Sequence, residues 1–204
     1  MVAGLAAEIV AWSLVARGRN VWTTMPPVLG AMGVAALIVG PPAWSEDLPA
    51  AASLIAGLGL GVLLYAGTRV GMLVLDRWPA FRRHSVEMYG RQGSLSLAPA
   101  LLLSIVVSVP GEELFWRGLF QGELGAAFDG RASLAAAVTW AAFLLANLAS
   151  RNLAIAAGAV VGGAAWGALA WWSGGVLAPL ACHIVWTGLM IASPVVRAPQ
   201  RSPA

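Results

Sequence analysis

Glu112, Glu113 and Arg117 fall within six residues of one another inside an otherwise apolar run from about 98 to 121. In hydrocarbon each ionisable side chain costs about 2.5–3.5 kcal/mol on insertion scales, so three in one segment must face a bundle interior or a hydrated cavity. On a helix Glu113 and Arg117 stand at i and i+4 and can pair, while Glu112 points about 100° away from Glu113. That phase leaves the Glu112 carboxylate free for proton transfer. Pro110 and Gly111 come just before, and a proline in a membrane helix loosens the backbone ladder and can open space for water. The competing explanation is a buried ion pair that only sets helix register. Intramembrane charges are functional by default, which favours chemistry.

Three further polar residues sit in neighbouring apolar runs. His183 follows Pro179, with Thr187 one turn further on the same face, and Asn147 lies one turn after Phe143. At a rise of about 1.5 Å per residue, Glu112 lies about 18–20 Å and Asn147 about 22 Å from the turn at 124–131, and His183 about 12 Å from the turn at 173–175 on the same side. Those depths suit one cavity. Taken singly, such a histidine is often a packing residue and such an asparagine an interhelical hydrogen bond. Cys182 adjoins His183 but diverges from it by about 100°, and a thiol in apolar surroundings is normally inert.

The elements that must carry these groups are membrane helices. Of the 204 residues 59% are hydrophobic and only 10% charged, where soluble domains average about 25% charged. The mean hydropathy is +0.80. Apolar runs long enough to span lie near 25–43, 50–75, 98–121, 132–149, 153–172 and 175–193, and a span needs roughly 20 residues. The segment 2–16 is short and carries Glu8, so it is either a marginal span or an interfacial helix. The fold class is therefore all-α, a polytopic membrane helix bundle with six or seven transmembrane helices. Glu8 and the missing positive n-region argue against a cleaved secretory signal.

The net charge of +3 derives from arginine, since the chain has no lysine. Of the arginines in the loops, nine fall on one side and Arg131 alone on the other, which puts the 76–97 loop and the C-terminus in the cytoplasm. The basic balance thus reports topology and the lipid bilayer as partner, with no nucleic acid. Trp12, Trp22, Trp44, Trp78 and Trp172 lie near segment ends, as interfacial anchors do. The 76–97 loop has weak amphipathic character and should lie along the cytoplasmic interface. The single cysteine excludes an intrachain disulfide and any CxxC motif.

The segments EELFWRG at 112–118, FLLAN at 143–147 and HIVWT at 183–187 resemble the CPBP family of intramembrane proteases. That family includes type II CAAX prenyl endopeptidases and bacteriocin-processing or immunity proteins. Its pattern is EExxxR, then FxxxH, then HxxxN or HxxxD on successive core helices. The resemblance covers about 95–193 and implies three regions: N-terminal transmembrane helices with the interfacial loop at 1–94, a catalytic core at 95–193, and a disordered tail at 194–204. It makes Glu112 the carboxylate that activates water, Glu113 and Arg117 its supporting pair, and His183 a polarising or oxyanion-side group. Two positions depart from the pattern: Asn147 stands where the family has histidine, and Thr187 where it has asparagine or aspartate.

An asparagine amide can orient a water but cannot take up a proton near neutral pH or replace imidazole as a strong zinc ligand. The threonine hydroxyl keeps one donor for an oxyanion. A route without cofactor follows: Glu112 takes a proton from water held by Asn147, His183 and Thr187 stabilise the oxyanion, and Glu112 returns the proton to the leaving amine. A divalent metal such as zinc stays open at this point. The expected function is hydrolysis of a peptide bond in a membrane-anchored or lipidated peptide or protein substrate. The alternative is a catalytically silent relative that binds a peptide as an immunity or scaffold protein. The expected location is the bacterial cytoplasmic (inner) membrane, with a cytoplasmic C-terminus.

Overall fold

The computed structural model describes residues 1–92 and 95–196. Helix makes up 82% of the structure, and no strand forms among the described residues. Among the described residues there are eight helices: α1 (Val2–Ala16), α2 (Val21–Val39), α3 (Ala50–Leu75), α4 (Pro79–Gln92), α5 (Leu97–Ala127), α6 (Ala132–Leu148), α7 (Leu153–Ser173) and α8 (Leu177–Ala192). Four of them, α2, α3, α5 and α7, are long and apolar enough to cross a membrane, while α1, α6 and α8 are shorter apolar helices. Large apolar side chains such as Ile38, Ile55, Leu73 and Val161 stay exposed on the outside, the inverse of a soluble surface and the natural surface for lipid. The chain is a polytopic helical bundle of an integral membrane protein.

Helix ends follow local chemistry. The α2 helix starts at the Asn20 cap, whose side chain accepts from the Trp22 N–H. It stops at Gly40, ahead of Pro41 and Pro42, four residues short of the expected 43, because a proline disfavours helical backbone in the residue before it. The Asn152 side chain accepts from Ala154 and Ile155 N–H to start α7. At its other end Gly174 takes a left-handed conformation, φ +66°, and closes the helix. The segment expected as an interfacial loop instead contains α4, whose His84 accepts from the Leu153 N–H and receives the Asn152 side-chain N–H at its carbonyl. Thus α4 is tied to the start of α7.

Close packing is set by glycine. Gly57 and Gly61, spaced as in GxxxG, bring α3 onto the α8 backbone, where a Cβ would strike the Ala178 and Cys182 carbonyls. Likewise Gly33 of α2 meets Gly111 of α5, whose own Cβ would run into the Leu29 carbonyl. Gly111 is therefore a crossing point as well as the neighbour of Glu112. The loop at 41–49 seals one end of the bundle: Val176 and Leu177 N–H donate to the Ala43 and Trp44 carbonyls, and Glu46 N–H to the Gly174 carbonyl. Of the expected tail, residues 197–204 lie outside the described residues.

Candidate active site

The long helix α5 presents the glutamates, and it is not uniform. Wide π-helical turns at Leu103–Ser108 and Leu114–Phe120 flank the α-helical stretch Val109–Glu113 that contains Pro110. Proline lacks the N–H for the regular ladder, and π turns absorb such interruptions, often at functional sites.

Glu113 is fully buried and lies between two basic groups. Its Oε1 accepts from Arg117 Nη1 at 3.1 Å and lies 2.8 Å from His183 Nδ1. The i, i+4 pairing expected of Glu113 and Arg117 thus forms. Arg117 also donates from Nη2 to the Gly163 carbonyl at 3.3 Å, and its guanidinium lies 4.6 Å from the Phe143 ring centroid. The His183 ring stacks on Trp166, centroids 3.5 Å apart and planes 15° from parallel. One carboxylate therefore fixes an imidazole edge-on while an indole fixes its face, leaving Nε2 directed away from both.

Glu112 behaves differently, as its helical phase required. It is half-buried, lines a cavity of about 560 Å³, and its carboxylate makes no hydrogen bond among the described residues. Asn147, His183 and Thr187 line the same cavity. Glu112, Asn147, His183 and Thr187 thus line one cavity, and Glu113 and Arg117 form the pair that holds His183 from behind. Asn147 donates from Nδ2 to the Phe143 carbonyl at 3.0 Å and to Glu8 Oε1 at 3.3 Å.

Glu8 was missed as a site residue. It is fully buried on α1, and its Oε2 accepts from Trp116 Nε1 at 2.7 Å. The rule that exposed Glu112, an ionisable side chain in an apolar helix, applies equally to Glu8. Ser108 and Ser104, one and two turns before Glu112 on α5, line the cavity too, as do Trp12 and Trp22, which sequence position alone suggested as lipid-interface anchors.

The cavity runs toward the end of the bundle formed by the last turns of α3 and α8 and by α4, where Met72, Ser85, Tyr89 and Ile191 line it. That end carries Arg17, Arg19, Arg77, Arg82, Arg83, Arg91 and Arg151 in its loops or on α4. Val195 N–H donates to the Tyr89 hydroxyl, and the Tyr65 hydroxyl donates to the Ser193 carbonyl, so the start of the tail packs at this end of the cavity.

Residues 94–189 match the family model "Type II CAAX prenyl endopeptidase Rce1-like". Over that segment, a little under half of the chain, the sequence is similar to the Rce1-like family. The Rce1-like segment holds Glu112, Glu113, Arg117, Asn147, His183 and Thr187, whereas Glu8 lies before it. The family is one of proteases. No curated protein and no solved structure matches the chain.

Proposed function

We propose that this chain is an intramembrane endopeptidase that hydrolyses a peptide bond in a membrane-associated or lipidated protein or peptide. The observation that carries this reading is the Glu112 carboxylate, free of hydrogen-bond partners among the described residues, on a cavity wall shared with Asn147, His183 and Thr187. Glu112 takes a proton from a water as the water oxygen attacks the scissile carbonyl. The oxyanion that forms is stabilised by the Thr187 hydroxyl and by His183, which offers an Nε2–H while its Nδ1 shares a proton with Glu113. Glu112 then hands its proton to the leaving amine. Arg117 holds Glu113, and Trp166 holds the His183 ring, so the donors are aimed before the charge develops.

No step runs through a metal. Glu8 and Glu113 have oxygens engaged by Trp116, Asn147, Arg117 and His183, and an asparagine amide is a poor substitute for an imidazole ligand. Among the described residues no three His, Cys, Asp or Glu side chains group as a metal site. The arginine-bearing end, where the cavity leads, faces the cytoplasm on this reading, as does the C-terminus, with the bacterial inner membrane as the host bilayer.

The test uses the full chain in nanodiscs with a panel of quenched membrane-anchored peptides, farnesylated CAAX peptides among them. Glu112→Gln keeps the shape and removes the base, so cleavage should fall about 10²–10⁴-fold; cleavage at the wild-type rate would sink the reading. Asn147 and Thr187 are the observations that favour the alternative, a peptide-binding protein without activity. Saturable binding of a peptide that is never cut would establish that instead.

A further inference from the structure

Glu8 reaches from outside the family segment to the residue that departs most from the family pattern. The Asn147 amide nitrogen has two hydrogens and two partners, the Phe143 carbonyl and Glu8 Oε1. Both partners accept. Turned over, the amide would set its oxygen against a carbonyl and a carboxylate, so the orientation is determined by chemistry. Oδ1 is left on the other side, with no protein partner among the described residues, on a residue of the cavity wall. The Trp116 indole, holding Oε2 at 2.7 Å, prevents the Glu8 carboxylate from turning away.

We propose that Glu8 is a positioning residue that locks Asn147 with its amide oxygen toward the reaction space, so that Asn147 accepts a hydrogen bond from the attacking water. This rests on the endopeptidase reading and assigns the water its geometry. One water hydrogen points to the Glu112 carboxylate and the other to Asn147 Oδ1, which leaves a lone pair for the carbonyl carbon. As the oxygen–carbon bond forms, the carbonyl π pair moves to the oxyanion and the first hydrogen passes to Glu112 as a proton. The second stays on the new hydroxyl, still held by Asn147. An amide oxygen thereby supplies the lone-pair acceptor that an unprotonated imidazole nitrogen would supply at this position. It contributes no donor to the oxyanion, which falls to His183 and Thr187.

The experiment pairs a signal with a rate. The chain has three asparagines, Asn20, Asn147 and Asn152, so in ¹⁵N-asparagine-labelled chain in nanodiscs the Asn147 side-chain amide is assigned by its loss in Asn147→Ala. Glu8→Gln replaces the acceptor at one Asn147 hydrogen. The Asn147 signal should shift and its hydrogens exchange faster. With a cleaved peptide from the panel, kcat should fall about 100-fold while KM stays within about twofold, and in the N147A background E8Q should change kcat less than about threefold, the non-additivity of residues acting as one unit. An Asn147 signal unmoved by E8Q, or an equal loss of kcat in both backgrounds, overturns the proposal. If the wild-type chain cuts nothing, the endopeptidase reading fails and the acceptor role with it, whereas a shifted Asn147 signal would still report the Glu8 lock as a feature of the fold.

Discussion

Two buried carboxylates stand behind the cavity, and the molecule holds them in opposite ways. Glu113 is placed between a permanent cation and an imidazole, all within the family segment. Glu8 is held by two neutral N–H groups, those of Trp116 and Asn147, and reaches in from α1. A carboxylate beside Arg117 and His183 balances charge, and what it positions, His183, can itself carry charge. Glu8 is in hydrogen-bond contact with neutral donors and with no cation among the described residues, and what it positions, Asn147, gains only direction. One wall of the site thus manages charge and the other manages orientation.

Breaking the charged wall should be the more destructive. Arg117→Met leaves Glu113 buried without its cation, and losing one partner of such a pair costs about 3–5 kcal/mol. Glu8→Gln leaves a neutral group among neutral donors and should cost about 1–3 kcal/mol. Thermal unfolding in detergent separates the two, and equal losses would erase the contrast. Next in size, Thr187→Val removes a donor from the charge-managing side while keeping the volume. The kcat for a cleaved peptide should drop about 10²–10³-fold with KM little changed, and an unaltered kcat would remove Thr187 from the oxyanion site.

The smallest effect lies at the arginine-bearing end of the cavity, away from both walls. Burial pushes the Tyr89 phenol from about 10 up to about 12, so the folded chain favours the neutral form more than the unfolded chain does. Its contribution is complete below about pH 10 and is lost as pH rises through 12. Tyr89→Phe should flatten the fall in melting temperature across that window and change little at neutral pH. Parallel slopes in variant and wild type would show that Tyr89 does not titrate there.

Much of this arrangement was legible in the sequence because helical phase is arithmetic. Glu113 and Arg117 one turn apart, with Glu112 on another face, required no tertiary information, and the depths of Asn147 and His183 followed from counting residues along their helices. The Glu8 contacts span 108 residues to Trp116 and 139 to Asn147, and no local period connects such positions. The orientation of the Asn147 amide depends on that distant carboxylate, so it was equally hidden. Trp12 and Trp22 misled for a related reason: a tryptophan near a helix end suits a lipid interface and a cavity wall alike, and only packing decides. In α4 the arginines and polar residues obscured a helix that the His84 and Asn152 contacts help to hold.

The tail contacts at that end of the cavity bear on how the chain is handled. Val195 is moored to Tyr89 beside the cavity, so a reporter or affinity handle fused directly after Val196 begins next to the cavity. Rates measured on such a fusion would combine catalysis with the time the handle spends in the way.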